Sequence, residues 1–128
     1  MANTSHWDVI VVDDEKDNIG VVELVLQFNN ARVRSAASGQ ECLKLLDETP
    51  PTFLLIDIQM PEMSGYQLLE MIHQNPAWQG IPSIALTAHA RSEDRQQILA
   101  AGFDGYISKP ISVMSLIDDI TQILNTRG

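Results

Sequence analysis

Phe53-Leu-Leu-Ile-Asp-Ile-Gln-Met-Pro-Glu-Met-Ser-Gly65 opens on four apolar residues, ends that run with an acid and arrives seven residues after the acid at a Ser-Gly pair. A strand with one wetted face alternates polar and apolar residues, so the unbroken run Phe53 to Ile56 reads as a strand covered on both sides. Ser64 is suited to accept a hydrogen bond from an early helical N–H, and Leu68, Leu69 and Ile72 follow at helical spacing. The stretch therefore reads as strand, acid-bearing loop and helix, in that order.

The same grammar repeats on either side. Val9 to Val12 is a second apolar run and is followed by Asp13-Asp14; Ile84 to Leu86 is a third and is followed by Thr87. Arg32 to Ala36 and Tyr106 to Ser108 fall where the spacing demands strands, although both are short and partly polar. Helical patterns lie between: Ile19, Val22 and Leu26; Leu43 and Leu46; Ile98 and Leu99; Ile117, Ile120 and Leu124. Ser38, Ser64, Ser92 and Ser112 precede helical patterns as candidate N-caps, and Glu41 gives Ser38 the spacing of a capping box. Pro50-Pro51, Pro76 and Gly102 mark helix ends, the prolines by a missing donor and ring clash, the glycine by access to positive φ.

Five alternating β-α units predict an open α/β sandwich: a doubly wound, five-stranded parallel sheet with right-handed crossovers and helices on both faces. With no repeat, low-complexity tract or linker, residues 1–128 read as one domain with its core over about 8–125. Leu, Ile, Val and Phe supply 37 of the 128 residues, enough for a real core. A chain of this length needs neither disulfide nor structural zinc to stand alone. The one cysteine, Cys42, fits a reducing, cytoplasmic setting. The N-terminus lacks the basic-then-apolar run of a signal peptide, and no apolar stretch approaches the ~18 residues of a spanning helix, so no membrane association is expected. Eight basic residues against 17 acidic ones leave a net charge of −9, and the basic ones do not cluster, which argues against direct nucleic-acid binding.

In open parallel sheets, ligands bind beyond the carboxyl ends of the strands. There the sequence places Asp13, Asp14, Asp57, Thr87 and, near the fifth strand, Lys109-Pro110. Three crowded carboxylates repel one another and need a cation or raised pKa values to coexist. A hard divalent ion such as Mg²⁺ resolves the conflict and bridges readily to a phosphoryl group. Lys109 and Thr87 add an anion contact and a hydroxyl donor. Each residue alone has a plainer reading: Asp14 as a helix cap, Asp57 as a solvated loop charge, Thr87 as a strand-end hydroxyl, Lys109 as a surface lysine. Their convergence on one edge points to phosphoryl chemistry.

Read together, Asp13-Asp14-Glu15, Asp57 to Gly65, Ala85-Leu-Thr-Ala88 and Ala101 to Ile111 resemble the receiver domains of two-component response regulators, the CheY-like group, over residues 8 to 125. The resemblance implies the flavodoxin-like strand order 2-1-3-4-5. It implies that Asp57 accepts a phosphoryl group from a phosphohistidine on a histidine kinase or a histidine phosphotransfer protein. It further implies that Asp14, Asp57 and the backbone carbonyl of Gln59 ligate Mg²⁺, with Asp13 assisting directly or through water. Thr87 and Lys109 would contact phosphoryl oxygens. Thr87 and Tyr106 would then move together, remodelling a protein-binding face formed by the fourth helix, fifth strand and fifth helix. Pro110 occupies the family's cis-proline position, which aims Lys109, and Met60-Pro61 and Gly65 shape the loop after the acceptor. Gln59 and His89 stand at two positions that tune the lifetime of the phosphoryl group. Without the resemblance, Tyr106 reads as a partly buried aromatic and His89 as a solvent-facing loop residue.

Two other functional classes compete. A magnesium-dependent phosphohydrolase of the haloacid-dehalogenase type carries a second Asp two residues after its nucleophile, where this chain has Gln59, so an enzyme with turnover is disfavoured. The glycines match neither a dinucleotide fingerprint nor a P-loop. A receiver-shaped adaptor that works without phosphorylation is weakened by the completeness of the acceptor set. No output domain is expected within the chain.

Overall fold

The computed structural model describes residues 4–88 and 91–126. Its strands are β1 (Asp8–Val12), β2 (Arg32–Ala36), β3 (Phe53–Asp57), β4 (Ser83–Thr87) and β5 (Gly105–Ser108). Its helices are α1 (Lys16–Phe28), α2 (Gly39–Glu48), α3 (Gly65–Gln74), α4 (Ser92–Ala100) and α5 (Leu116–Thr126). The strands form one parallel sheet in the order β2-β1-β3-β4-β5.

Alternate residues of each central strand feed opposite cores. On one face Val9, Val11, Phe53, Leu55, Ile84 and Leu86 pack with Ile19, Val22 and Leu26 of α1 and Leu116 and Ile120 of α5. On the other, Ile10, Val12, Leu54, Ile56 and Ala85 pack with Cys42 and Leu46 of α2, Leu68, Leu69 and Ile72 of α3, and Ile98 of α4. Helices on both faces explain why β1, β3 and β4 show no polar alternation. The two partly polar strands are the two edges: β2 exposes Arg32 and Ser35, and β5 exposes Ser108.

Helix starts match the sequence reading in part. Ser64 accepts from Gln67 N–H at 3.2 Å while the Gln67 side chain takes the Ser64 N–H at 2.9 Å, a full capping box. Ser38 caps α2 through Glu41 N–H at 3.2 Å, but Glu41 takes the N–H of Ala37, one residue earlier than the expected reciprocal bond. Ser92 is the first residue of α4 and not its cap; the N-cap is Arg91, whose N–H is taken by Asp94. Ser112 stands four residues before α5 and contributes its carbonyl to Leu116 N–H at 3.0 Å. Asp14 does not cap α1, whose N-cap is Glu15 and lacks a side-chain bond. The neighbouring Asp13 instead takes the Glu15 N–H at 2.9 Å.

Two glycines are required by geometry. Gly102 ends α4 with φ +108, and a Cβ on Gly65 would lie 2.5 Å from the Asp57 carbonyl oxygen. The second contact lets α3 start directly against the end of β3, fixing the loop that carries Gln59.

Candidate phosphoryl and metal site

The parallel register delivers the polar residues to one edge. β1 stops at Val12 and its next residue, Asp13, is anchored by its N–H to Ala36 O at 3.1 Å. Asp57 ends β3 opposite Leu86, and the Ile58 N–H continues that pairing to Leu86 O at 3.0 Å. Thr87 ends β4 opposite Ser108, and the Lys109 N–H binds Thr87 O at 2.8 Å. Backbone bonds thus hold Asp13, Asp57, Thr87 and Lys109 in a row across β1, β3, β4 and β5.

The side chains close over a buried charge cluster. The Lys109 ammonium lies 3.0 Å from Asp13 Oδ2 and 3.2 Å from Asp57 Oδ1. Asp13, Asp57 and Thr87 are buried, whereas Asp14 and Gln59 are exposed. One carboxylate oxygen from each of Asp13, Asp14 and Asp57 lies within 4.8 Å of the others. The Lys109–Pro110 peptide is cis, as the family position of Pro110 implies.

One ammonium faces three carboxylates, and the titration behaviour shows the imbalance. Desolvation, and then the negative charge of Asp13, push Asp57 up to about 7 from its ordinary acidic value. Lys109 and the Gln59 N–H, 3.2 Å from Asp57 Oδ1, offset this only in part. Burial alone would lower Lys109, but hydrogen bonding and charge from Asp13 and Asp57 outweigh it and hold the ammonium above its usual value. Asp13 Oδ2 is buried, with the Lys109 ammonium 3.0 Å away as its charge partner. Both contacts recorded for Asp57 fall on Oδ1. A compact set of hard oxygen donors, three carboxylates facing one ammonium, fits a divalent cation of the Mg²⁺ type.

Tyr106 is half-buried beside the α4-side core, and the Arg95 guanidinium carbon lies 5.7 Å from its ring centroid. His89 lies outside the described residues. One surface was not found from the sequence: a groove of about 580 Å³ between α1 and the segment leading into α5, lined by Leu24, Phe28, Val113, Met114 and Ile117. Phe28 is 86% exposed and Met114 91% exposed. The signal was present in α1, because Leu24 and Phe28 lie off the Ile19, Val22, Leu26 stripe at their own spacing of four.

With the sheet order, the acid cluster and its lysine in place, the comparisons with known proteins agree. The model of the response regulator receiver domain matches residues 9–121, and the chain belongs to that family. It is 34% identical to the polar-differentiation response regulator DivK of Brucella ovis over 91% of this chain and 94% of DivK. It is 37% identical to the signal transduction histidine-protein kinase BarA of Escherichia coli over 80% of this chain, a region that is 11% of BarA. Among solved structures, chemotaxis protein CheY4 of Vibrio cholerae superposes with TM-score 0.86 at 25% identity, covering 91% of this chain and 98% of CheY4. The chain is therefore a CheY-like receiver of two-component phosphorelay signalling, a family of phospho-acceptor switches and not of turnover enzymes. Receiver domains take phosphoryl groups from histidine kinases or phosphotransfer proteins and bind Mg²⁺ at an acidic cluster. No described helix is long and apolar enough to cross a membrane.

Proposed function

We propose that Asp57 is the phospho-acceptor of this chain. A carboxylate oxygen of Asp57 attacks the phosphorus of a donor phosphohistidine, the P–N bond breaks, its electron pair returns to the imidazole, and an acyl phosphate forms on Asp57. The observation that carries this reading is the buried Asp13–Lys109–Asp57 cluster, in which the acid at the end of the central strand keeps an oxygen clear of the lysine contact. Mg²⁺, held by Asp13, Asp14, Asp57 and the Gln59 carbonyl, would supply the charge compensation that the carboxylates lack. Lys109 stays protonated and neutralises a phosphoryl oxygen, and the Thr87 hydroxyl donates to another. Gln59 and His89 tune hydrolysis by admitting or orienting the attacking water.

The consequence is a conformational change that runs from Thr87 to Tyr106 and alters the face of α4, β5 and α5, where a downstream protein binds. The chain acts in the cytoplasm, without contacting nucleic acid directly. A receiver-shaped adaptor that needs no phosphorylation is the second reading, and a phosphohydrolase the third; the charge imbalance around Asp57 weighs against the former and Gln59 against the latter.

Incubation with acetyl phosphate followed by intact mass spectrometry tests the proposal. One added phosphoryl group is expected, dependent on Mg²⁺ and lost in Asp57→Asn. An adduct that survives in Asp57→Asn, or no adduct under any condition, overturns it.

A further inference from the structure

The α4 helix is lightly attached: Ile98 is its one buried residue among those described, while Leu99 is 53% exposed. One turn before Ile98, the exposed Arg95 reaches the neighbouring strand and places its guanidinium 5.7 Å from the centre of the Tyr106 ring. Tyr106 therefore stands between two elements. On its α4 side is the Arg95 cation, and on its α5 side it borders a cleft of about 390 Å³ that also includes Ser108, Ser115 and Asp119.

The strand register says what lies behind the ring. Tyr106 pairs with Ala85 in the parallel ladder, and Thr87 pairs with Ser108. Side chains two apart on a strand share a face, and paired residues of adjacent strands do too, so Tyr106, Ala85 and Thr87 lie on one face of the sheet. Ala85 is the smallest of the three. Any displacement of Thr87 toward the acceptor therefore changes the room on the face that Tyr106 occupies, next to a residue too small to fill it.

We infer that Arg95 is a positioning residue that latches the Tyr106 ring in its resting orientation and thereby ties α4 to the state of the Asp57 site. The inference rests on the proposed switch and adds the element that opposes it. An exposed cation over a half-buried aromatic ring biases the ring by about two- to fivefold, or about 0.5–1 kcal/mol. That is too weak to lock the ring and large enough to shift a two-state equilibrium. Because coupling is reciprocal, loosening the latch must also favour occupation of the phosphoryl site by the same factor.

The test uses the full chain labelled with 3-fluorotyrosine, with Tyr66→Phe to assign the Tyr106 fluorine resonance, and fluoroberyllate with Mg²⁺ as the phosphoryl mimic. In the parent chain, the Tyr106 resonance is expected to move on adding fluoroberyllate. Arg95→Met keeps the aliphatic stem and removes the charge; its mimic-free resonance should lie part-way to the bound position, with fluoroberyllate binding two- to fivefold tighter. Arg95→Lys, which restores a cation, should return both values toward the parent. If the parent responds but Arg95→Met matches it in both states and in affinity, the latch is refuted and the switch stands. If the parent resonance does not move when fluoroberyllate binds, the Tyr106 switch fails and the latch fails with it. If fluoroberyllate does not bind at all, the phospho-acceptor reading fails first.

Discussion

The two ends of β1 each carry an aspartate paired with a base about 3 Å away, and they are built for opposite purposes. At the amino end, Asp8 Oδ1 takes bonds from Arg34 Nε at 3.3 Å and Nη2 at 3.1 Å. Arg34 also donates to Leu45 O at 3.1 Å and Thr49 O at 2.8 Å, closing the carbonyl end of α2. Charge is matched one to one, and both side chains are about a quarter exposed. At the carboxyl end, Asp13 is fully buried and shares a single lysine with Asp57 while Asp14 crowds the same space. The first arrangement is complete. The second lacks positive charge, and a site that is short of charge is a site for a ligand that brings it.

Substitutions that separate the two ends sharpen this contrast. The largest effect is expected for Lys109→Met, which removes the cation that pairs with both Asp13 and Asp57; phosphoryl uptake from acetyl phosphate should fall by about a hundredfold or more, read as the rate of adduct formation. Next is Asp57→Asn, which removes a carboxylate from a site with too many. Its thermal or urea stability at pH 8 without Mg²⁺ should rise by about 1–3 kcal/mol above the parent, and the gain should shrink at pH 5, where the parent's Asp57 is protonated. Arg34→Met should do the reverse at the other end of the strand. It should cost about 1–2 kcal/mol of stability and leave the rate of phosphoryl uptake unchanged.

The smallest effect is a pH dependence. The folded pKa of Asp57, about 7, lies above its ordinary value of 3.8, so the native state binds more protons than the unfolded chain between those limits. The stability from its bound proton is complete below the lower value and is lost as the pH rises through the upper one. Mg²⁺ competes with that proton. Saturating Mg²⁺ should raise the unfolding midpoint by a few °C at pH 8 and by much less at pH 5, a comparison that differential scanning fluorimetry makes directly.

How much of this was legible in the sequence depended on whether local pattern or tertiary placement carried the information. Phe53 to Ile56 declared a doubly covered strand because every residue in it is buried, and Asp57 could be placed at its end. β2 and β5 declared themselves poorly because they are edges, with Arg32, Ser35 and Ser108 turned to water. The caps divided in the same way. Ser64 formed its box from residues three apart, whereas Asp14 failed as a cap because the adjacent Asp13 reached the Glu15 N–H. For the site, Asp13, Asp57, Thr87 and Lys109 followed from strand ends alone, since a parallel sheet delivers all such ends to one edge. The burial of Asp13, the bridging position of Lys109 and the Arg95–Tyr106 contact required the register and side-chain packing. So did the Phe28–Met114 groove, whose two walls are far apart in the chain.

The central claim is that the charge-deficient end of the sheet takes a phosphoryl group on one particular carboxylate. Borohydride reduces an acyl phosphate to an alcohol, so treating the phosphorylated protein and mapping its peptides by mass marks the acceptor permanently. Conversion at Asp57 alone, dependent on Mg²⁺ and absent when Lys109 is replaced by methionine, is the predicted result. Conversion at Asp13, Asp14 or Asp8, or no conversion in protein that carries the added phosphoryl mass, would contradict it.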